Sequence, residues 1–167
     1  PKLKQLFPIL LINSGKEKNG IPSRELSEVL WKAQSAKNAK NLRGVTIRNL
    51  RLLLASMDKI DIIYQSDTWS LKFSESIYCD YLDCLRMLEE NNPGSDFFIR
   101  FYNIIKEGEV FRGESFHWLD DTKGFIGNHI VDILINYLES HPGSDSPDKI
   151  IKISELIMSY DPANETA

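Results

Sequence analysis

The chain has 167 residues, 42% of them hydrophobic, which is enough to bury one core or two small ones. Its net charge of −4 hides a division: residues 1–73 carry 13 Lys/Arg against 6 Asp/Glu, and residues 74–167 carry 7 against 18. No apolar run reaches the roughly 20 residues of a membrane span, and the two cysteines match neither a zinc pattern nor a disulfide framework.

A net of +7 followed by −11 argues for two modules with different partners. The basic module suits an anionic ligand; the acidic one would repel it. Cys79 and Cys84 read as reduced core residues of a cytoplasmic protein. The start Pro1-Lys2-Leu3-Lys4 lacks a signal peptide's apolar region and cleavage site. A larger, membrane-tethered parent protein is compatible with the same residues.

Leu3, Leu6, Phe7, Leu10 and Leu11 repeat at helical spacing, so residues 2–13 are expected to form a first helix, kinked or shortened by Pro8. Gly15 to Gly20 is a polar loop. Ile21-Pro22 leads to Ser23, an expected N-cap for a second helix that buries Leu26, Val29, Leu30 and Trp31. A polar connection, Lys32 to Ala36, opens the most informative stretch, Lys37 to Met57. At 3.6 residues per turn it puts Ala39, Leu42, Thr46, Leu50, Leu53 and Met57 on an expected core stripe. Lys37, Lys40, Asn41, Gly44, Arg48 and Arg51 fall on the opposite face. A cationic face with one glycine at its centre suits close approach to a polyanion, as in a DNA recognition helix.

After Met57 the period changes from 3.6 to 2. Ile60, Ile62 and Tyr64 alternate, Gln65-Ser66-Asp67 makes a turn, and Trp69, Leu71 and Phe73 alternate again. Three helices and a hairpin are the order of a winged helix-turn-helix. Trp31 and Trp69 are expected in the core.

From Ser76 the chain reads as helices. Tyr78, Tyr81, Leu82, Leu85 and Leu88 form one apolar face, ended by Asn91 to Ser95. Phe97, Phe98, Phe101, Ile104 and Ile105 form the next, closed by Glu107-Gly108. A helix is expected from near Phe116 to Glu139, burying Ile130, Val131, Leu134, Ile135 and Leu138. A break at His141 to Ser144 precedes a last helix on Ile150, Ile153, Leu156 and Ile157.

The residues give no sign of an enzyme. His117, His129 and His141 are 12 apart, which fits no metal pattern within one helix, and His117 reads as a surface histidine. Gly108 to Gly113 lacks the strand, helix and lysine of a phosphate loop. Ser14 and Ser115 lack a nucleophile elbow. No catalytic residue, cofactor or metal is expected.

Leu26-Ser27-Glu28-Val29-Leu30-Trp31, Ala39-Lys40-Asn41-Leu42-Arg43-Gly44-Val45-Thr46-Ile47 and Leu50-Arg51 resemble the OmpR-like winged helix of the SARP-type bacterial activators. Pro1-Lys2-Leu3 through Leu11 is similar to that domain's first helix, and Ile62-Ile63-Tyr64 with Trp69-Ser70-Leu71 to its wing. Cys79-Asp80, the Phe111 to Trp118 loop and Asp161 to Glu165 resemble the bacterial transcriptional activator domain, a tetratricopeptide-like helical module. The resemblance implies a mainly α fold with a small β-hairpin wing. It divides the chain into a winged helix, 1–74, that lacks its N-terminal sheet and an all-α module, 75–167, both from the C-terminal part of a larger regulator. It further implies a sequence-specific regulator of transcription that binds double-stranded DNA. The module would serve self-association or contact with RNA polymerase or another regulator subunit.

In a major groove, Arg48 suits guanine and Asn41 adenine. Lys37, Lys40 and Arg51 suit phosphates. Arg43 either pairs with a carboxylate such as Glu28 or reaches a phosphate. Gln65, Ser66 and Lys72 are the wing candidates, although Asp67 at its tip disfavours phosphate contact. The rival reading is a protein-interaction adaptor that uses the same basic face on an acidic partner.

Overall fold

The apolar spacing in the first 13 residues does produce a helix. The computed structural model describes residues 2–14, 19–57, 59–74, 77–90, 96–141 and 145–163. The expected loops at Gly15 to Gly20, Asn91 to Ser95 and His141 to Ser144, the Ser76 onset and Asn164-Glu165 lie wholly or partly outside these residues. The protein is mainly helical with a small three-stranded antiparallel sheet. It divides into two compact units, Pro1–Ile77 and Tyr78–Ala167.

In the first unit, α1 (Lys2–Asn13) buries Leu6, Ile9, Leu10 and Leu11. Pro8 lies inside it. The ring removes the donor for the Lys4 carbonyl, but Lys4 is exposed, so water is at hand and the helix runs through. Next come β1 (Ile21–Pro22), α2 (Ser23–Trp31), α3 (Ala36–Leu54), β2 (Ile60–Gln65) and β3 (Thr68–Phe73). Ala36 belongs to α3 rather than to the connection. α2 buries Leu26, Leu30 and Trp31, as its spacing predicts, with Val29 half-buried.

The hairpin pairs Ile60 with Phe73, Ile62 with Leu71 and Tyr64 with Trp69. These are the two alternating rows of the sequence, now directly opposite each other. Only Ser66 and Asp67 lie between the paired Gln65 and Thr68, at φ 49 and 62. That is the double left-handed geometry of a type I′ turn. β1 joins the open edge of β3, through Ile21 with Trp69 and Pro22 with Thr68, for the order β1-β3-β2. Pro22 has no N–H to give a ladder, which suits this edge position. Ser14, just past α1, accepts the Leu71 N–H at 2.7 Å and ties helix to sheet.

The second unit holds α4 (Asp80–Leu88), α5 (Phe97–Ile105), a 3₁₀ turn (His117–Leu119), α6 (Asp120–Ser140) and α7 (Pro147–Tyr160). α4 packs on α5 and α6, and α6 packs on α7. Lys149 near the start of α7 donates to the Tyr137 hydroxyl near the end of α6, at 2.6 Å. Tyr160 at the end of α7 lies over Gly127 in the first half of α6. The two helices are therefore antiparallel.

The buried face of α4 is Tyr81, Cys84 and Met87, not the expected leucine row: Leu82, Leu85 and Leu88 are half-buried and Tyr78 is exposed. Cys84 replaces a leucine in that seam because a thiol packs as a small hydrophobe. Burial pushes its thiol up to about 11, so it stays protonated and inert at neutral pH; both cysteines are unbridged. On α6 the core side chains are Ile126, Ile130, Val131 and Leu134, with Ile135 and Leu138 half-buried. Ile150 faces out, while Ile153, Leu156 and Ile157 are buried.

Gly20 adopts φ +105, and a Cβ there would lie 2.5 Å from the Trp69 carbonyl oxygen and 2.8 Å from Thr68 Cγ2. Both the left-handed backbone and the clash exclude a side chain. Gly20→Ala is expected to destabilise the protein by about 2 kcal/mol or more. A urea midpoint unchanged from wild type would refute this account of the β1–β3 edge.

Candidate nucleic-acid interface

The candidate face depends on how α3 is turned about its axis, and the turn is set by polar groups. Ser35 caps the helix, accepting the Asn38 N–H at 3.3 Å. The stripe α3 buries is Ala39, Ile47, Leu50 and Leu54, with Arg43 half-buried among them. Leu42, Leu53 and Met57, expected in the core, are 41%, 61% and 53% exposed, and Thr46 is half-buried. At 100° per residue, the real core stripe is rotated about 60° from the apolar reading.

Arg43 causes the difference. Its Nη1 donates to the Ser23 carbonyl and to Ser27 Oγ, each at 2.7 Å. Glu28 is not its partner, because Arg24 holds that carboxylate at 2.9 Å. A guanidinium with its donors placed on α2 can enter a stripe that hydropathy assigns to leucine.

Ser23 is the only buried polar side chain among the described residues. It does not cap α2: Pro22 holds that position, and the Ser23 hydroxyl instead accepts the Trp69 indole N–H at 2.9 Å. Its backbone N–H donates to the Asp67 carbonyl at 2.9 Å. Its carbonyl accepts from Arg43 and, at 2.9 Å, from the Ser27 hydroxyl. One residue thus joins α2, α3 and the hairpin tip.

All seven candidates in or beside the basic face are placed by α3. Lys37, Lys40, Asn41, Gly44, Arg48 and Arg51 are exposed, and Arg43 is turned inward. Arg51 sits on the flank nearest the sheet, where its Nη2 donates to the Ile62 carbonyl at 2.7 Å and its guanidinium lies 6.0 Å from the Trp69 ring centroid. Arg43 and Arg51 therefore spend donors on the fold. Among the described residues, Lys37, Lys40, Asn41 and Arg48 have no internal hydrogen bond or ion pair, so their polar groups are free for a ligand. Gly44 has nothing within 4 Å of where a Cβ would sit, so the fold does not require it.

The wing candidates separate. Gln65 and Ser66 are at the exposed tip, whereas Lys72 faces Asp61 near the hairpin's base, roughly 13 Å along the strand. Asp67 accepts from the Tyr64 hydroxyl at 2.8 Å. The Tyr64 bond first, then the Ser23 hydroxyl, hold its carboxyl below the usual carboxylate range. Trp69, expected in the core, is half-buried and lies against Tyr64, with ring centroids 4.3 Å apart and planes tilted by 33°.

Sequence reading passed over two residues of this face, Val45 and Leu52, which are 60% and 66% exposed. The available signal was their spacing, four after Asn41 and four after Arg48. Among the described residues, no group of three or more His, Cys, Asp or Glu is arranged to hold a metal ion, and no helix is long and apolar enough to cross a membrane. Comparison with family models, with curated proteins and with solved structures finds no match for this chain.

Arg43→Ala should cost about 2 kcal/mol of stability, the worth of hydrogen bonds from a charged donor, while Arg48→Ala should cost less than about 0.5 kcal/mol. Equal losses in urea titration would contradict the division between a positioning and a free arginine. A second expectation concerns pH. The folded Asp67 binds its proton less readily than the unfolded chain does, so its contribution is present above the ordinary aspartate value and is lost as pH falls through the lower folded value. The Trp69 indole proton resonance should shift in that acid range, and Asp67→Asn should abolish the step. An unchanged titration in the variant would remove Asp67 as its cause.

Proposed function

We propose that this chain is a sequence-specific DNA-binding regulator of transcription, with a winged-helix first unit and a tetratricopeptide-like second unit. One observation carries the reading: α3 holds Lys37, Lys40, Asn41 and Arg48 exposed, and without a side-chain partner among the described residues, around a glycine the fold does not need. The order of three helices and a two-residue hairpin supports it, as does the +7 charge of residues 1–73. In this reading α3 enters the major groove. Arg48 and Asn41 contact base edges, Lys37 and Lys40 contact phosphates, and Gln65 and Ser66 bring the wing tip to the backbone. Arg43 and Arg51 position the helix. The −11 second module, which DNA would repel, serves self-association or contact with the transcription machinery. No catalytic role is assigned.

Gly44 separates this reading from that of an inert surface helix. Gly44→Ala should raise stability by about 1 kcal/mol, as for any exposed mid-helix glycine, yet lower DNA affinity because a methyl group enters the flank that lies along the phosphates between Lys37, Lys40 and Arg48. Stabilisation with unchanged affinity would refute that role of the flank. Lys37→Ala and Lys40→Ala should each weaken binding to all duplexes and flatten the salt slope by about one unit, whereas Arg48→Ala should relax preference among sequences. Titration of a selected duplex against a scrambled one across salt concentrations reads both effects. An adaptor that tolerates any polyanion would show no preference between the two.

A further inference from the structure

The observed rotation of α3 changes which residues stand furthest from the core. Taking the buried stripe from Ala39 to Leu54 as reference and 100° per residue, the diametrically opposite arc of about 80° contains Asn38, Asn41, Val45, Arg48 and Leu52. All five are exposed. Lys37, Lys40, Gly44 and Arg51 fall on one flank of that arc rather than at its crest. The crest is thus two asparagines, two aliphatic side chains and a single arginine.

Exposed aliphatic residues are ordinary when scattered. Val45 and Leu52 are not scattered: they are seven apart, on the same line, at 60% and 66% exposure, each beside an amide or guanidinium without a partner among the described residues. In a major groove the one apolar group on a base edge is the thymine C5 methyl, and the pair of groups that fits an asparagine amide bidentately is adenine N6 and N7. Both belong to A·T pairs. From Asn38 to Leu52 the helix rises roughly 21 Å, enough to face about six base pairs.

Resting on the reading of α3 as the DNA-contacting helix, we infer that its target is an A·T-rich duplex, read by Asn38 and Asn41 on adenine and by Val45 and Leu52 on thymine methyls. Arg48 supplies one contact to guanine. The cationic flank binds one phosphate strand and adds affinity without sequence information.

The test uses the full chain. Duplexes with a random core are selected at about 150 mM salt, and the best one is resynthesised with deoxyuridine replacing thymidine, which removes only the methyl groups. The selected core is expected to be A·T-rich, and the deoxyuridine duplex to bind about fourfold more weakly per contacted methyl. Val45→Ala should lose affinity for the thymidine duplex by a similar factor and discriminate less between the two. Arg48→Ala should keep the discrimination. A thermal melt checks the variants, which change exposed side chains. Sequence-selective binding with equal affinity for both duplexes would overturn this inference and leave the DNA reading intact. No selected sequence, and no salt-dependent binding to any duplex, would overturn both.

Discussion

The first unit depends on one buried serine. Ser23 offers three groups and each has a different partner: its N–H goes to the hairpin tip at Asp67, its hydroxyl receives the Trp69 indole, and its carbonyl receives Arg43. A buried polar group without a partner costs about 1–3 kcal/mol. The three elements are therefore constrained to meet there. An apolar residue at position 23 would keep the backbone bonds to Asp67 and Arg43 yet leave the Trp69 indole N–H without its acceptor.

That constraint passes directly to the exposed face. Arg43 can reach the Ser23 carbonyl and the Ser27 hydroxyl only when it lies in the seam between α2 and α3, which fixes the rotation of α3. Arg51 repeats the device at the other end, bonding the Ile62 carbonyl of β2. With both arginines engaged, α3 has little freedom to roll, and the groups left outward, Asn38, Asn41, Val45, Arg48 and Leu52, are held on a rigid element. In the proposed DNA-binding role such presentation would matter, because bidentate base contacts tolerate little angular error.

The second unit is held by different means. Its core is aliphatic and aromatic, centred on Phe101, Ile126, Ile130, Leu134 and Ile153. Around Tyr137 it adds a polar clamp. Phe98 stacks on that ring, Lys149 lies 4.7 Å from its centroid, and Asp145 accepts from Lys149 at 2.7 Å. Desolvation lowers the Lys149 pKa, but the Asp145 and Tyr137 bonds outweigh it, so the net shift is upward and the ammonium persists. The charge thereby stays available to both rings.

Much of this was legible in the residues. The change of period after Met57 located the hairpin, because alternation by two has only one physical meaning for a half-buried strand, and Tyr64, Ile62 and Ile60 do face Trp69, Leu71 and Phe73. The apolar rows of α2, α5 and α7 marked their helices for the same reason at the other period. What hydropathy missed were places where a polar side chain occupies a core position or an apolar one is left out. Arg43 lies in the α3 seam because two oxygens of α2 wait for it, whereas Leu82 and Leu85 of α4, expected in the core, are only half-buried. Leu42, Leu53 and Val45 stay exposed because those polar bonds turn the helix away from them. A sequence fixes the composition of a helix face by its period alone, but which face turns inward is decided by where the neighbouring elements place their hydrogen-bonding groups. Those groups meet only in the folded chain.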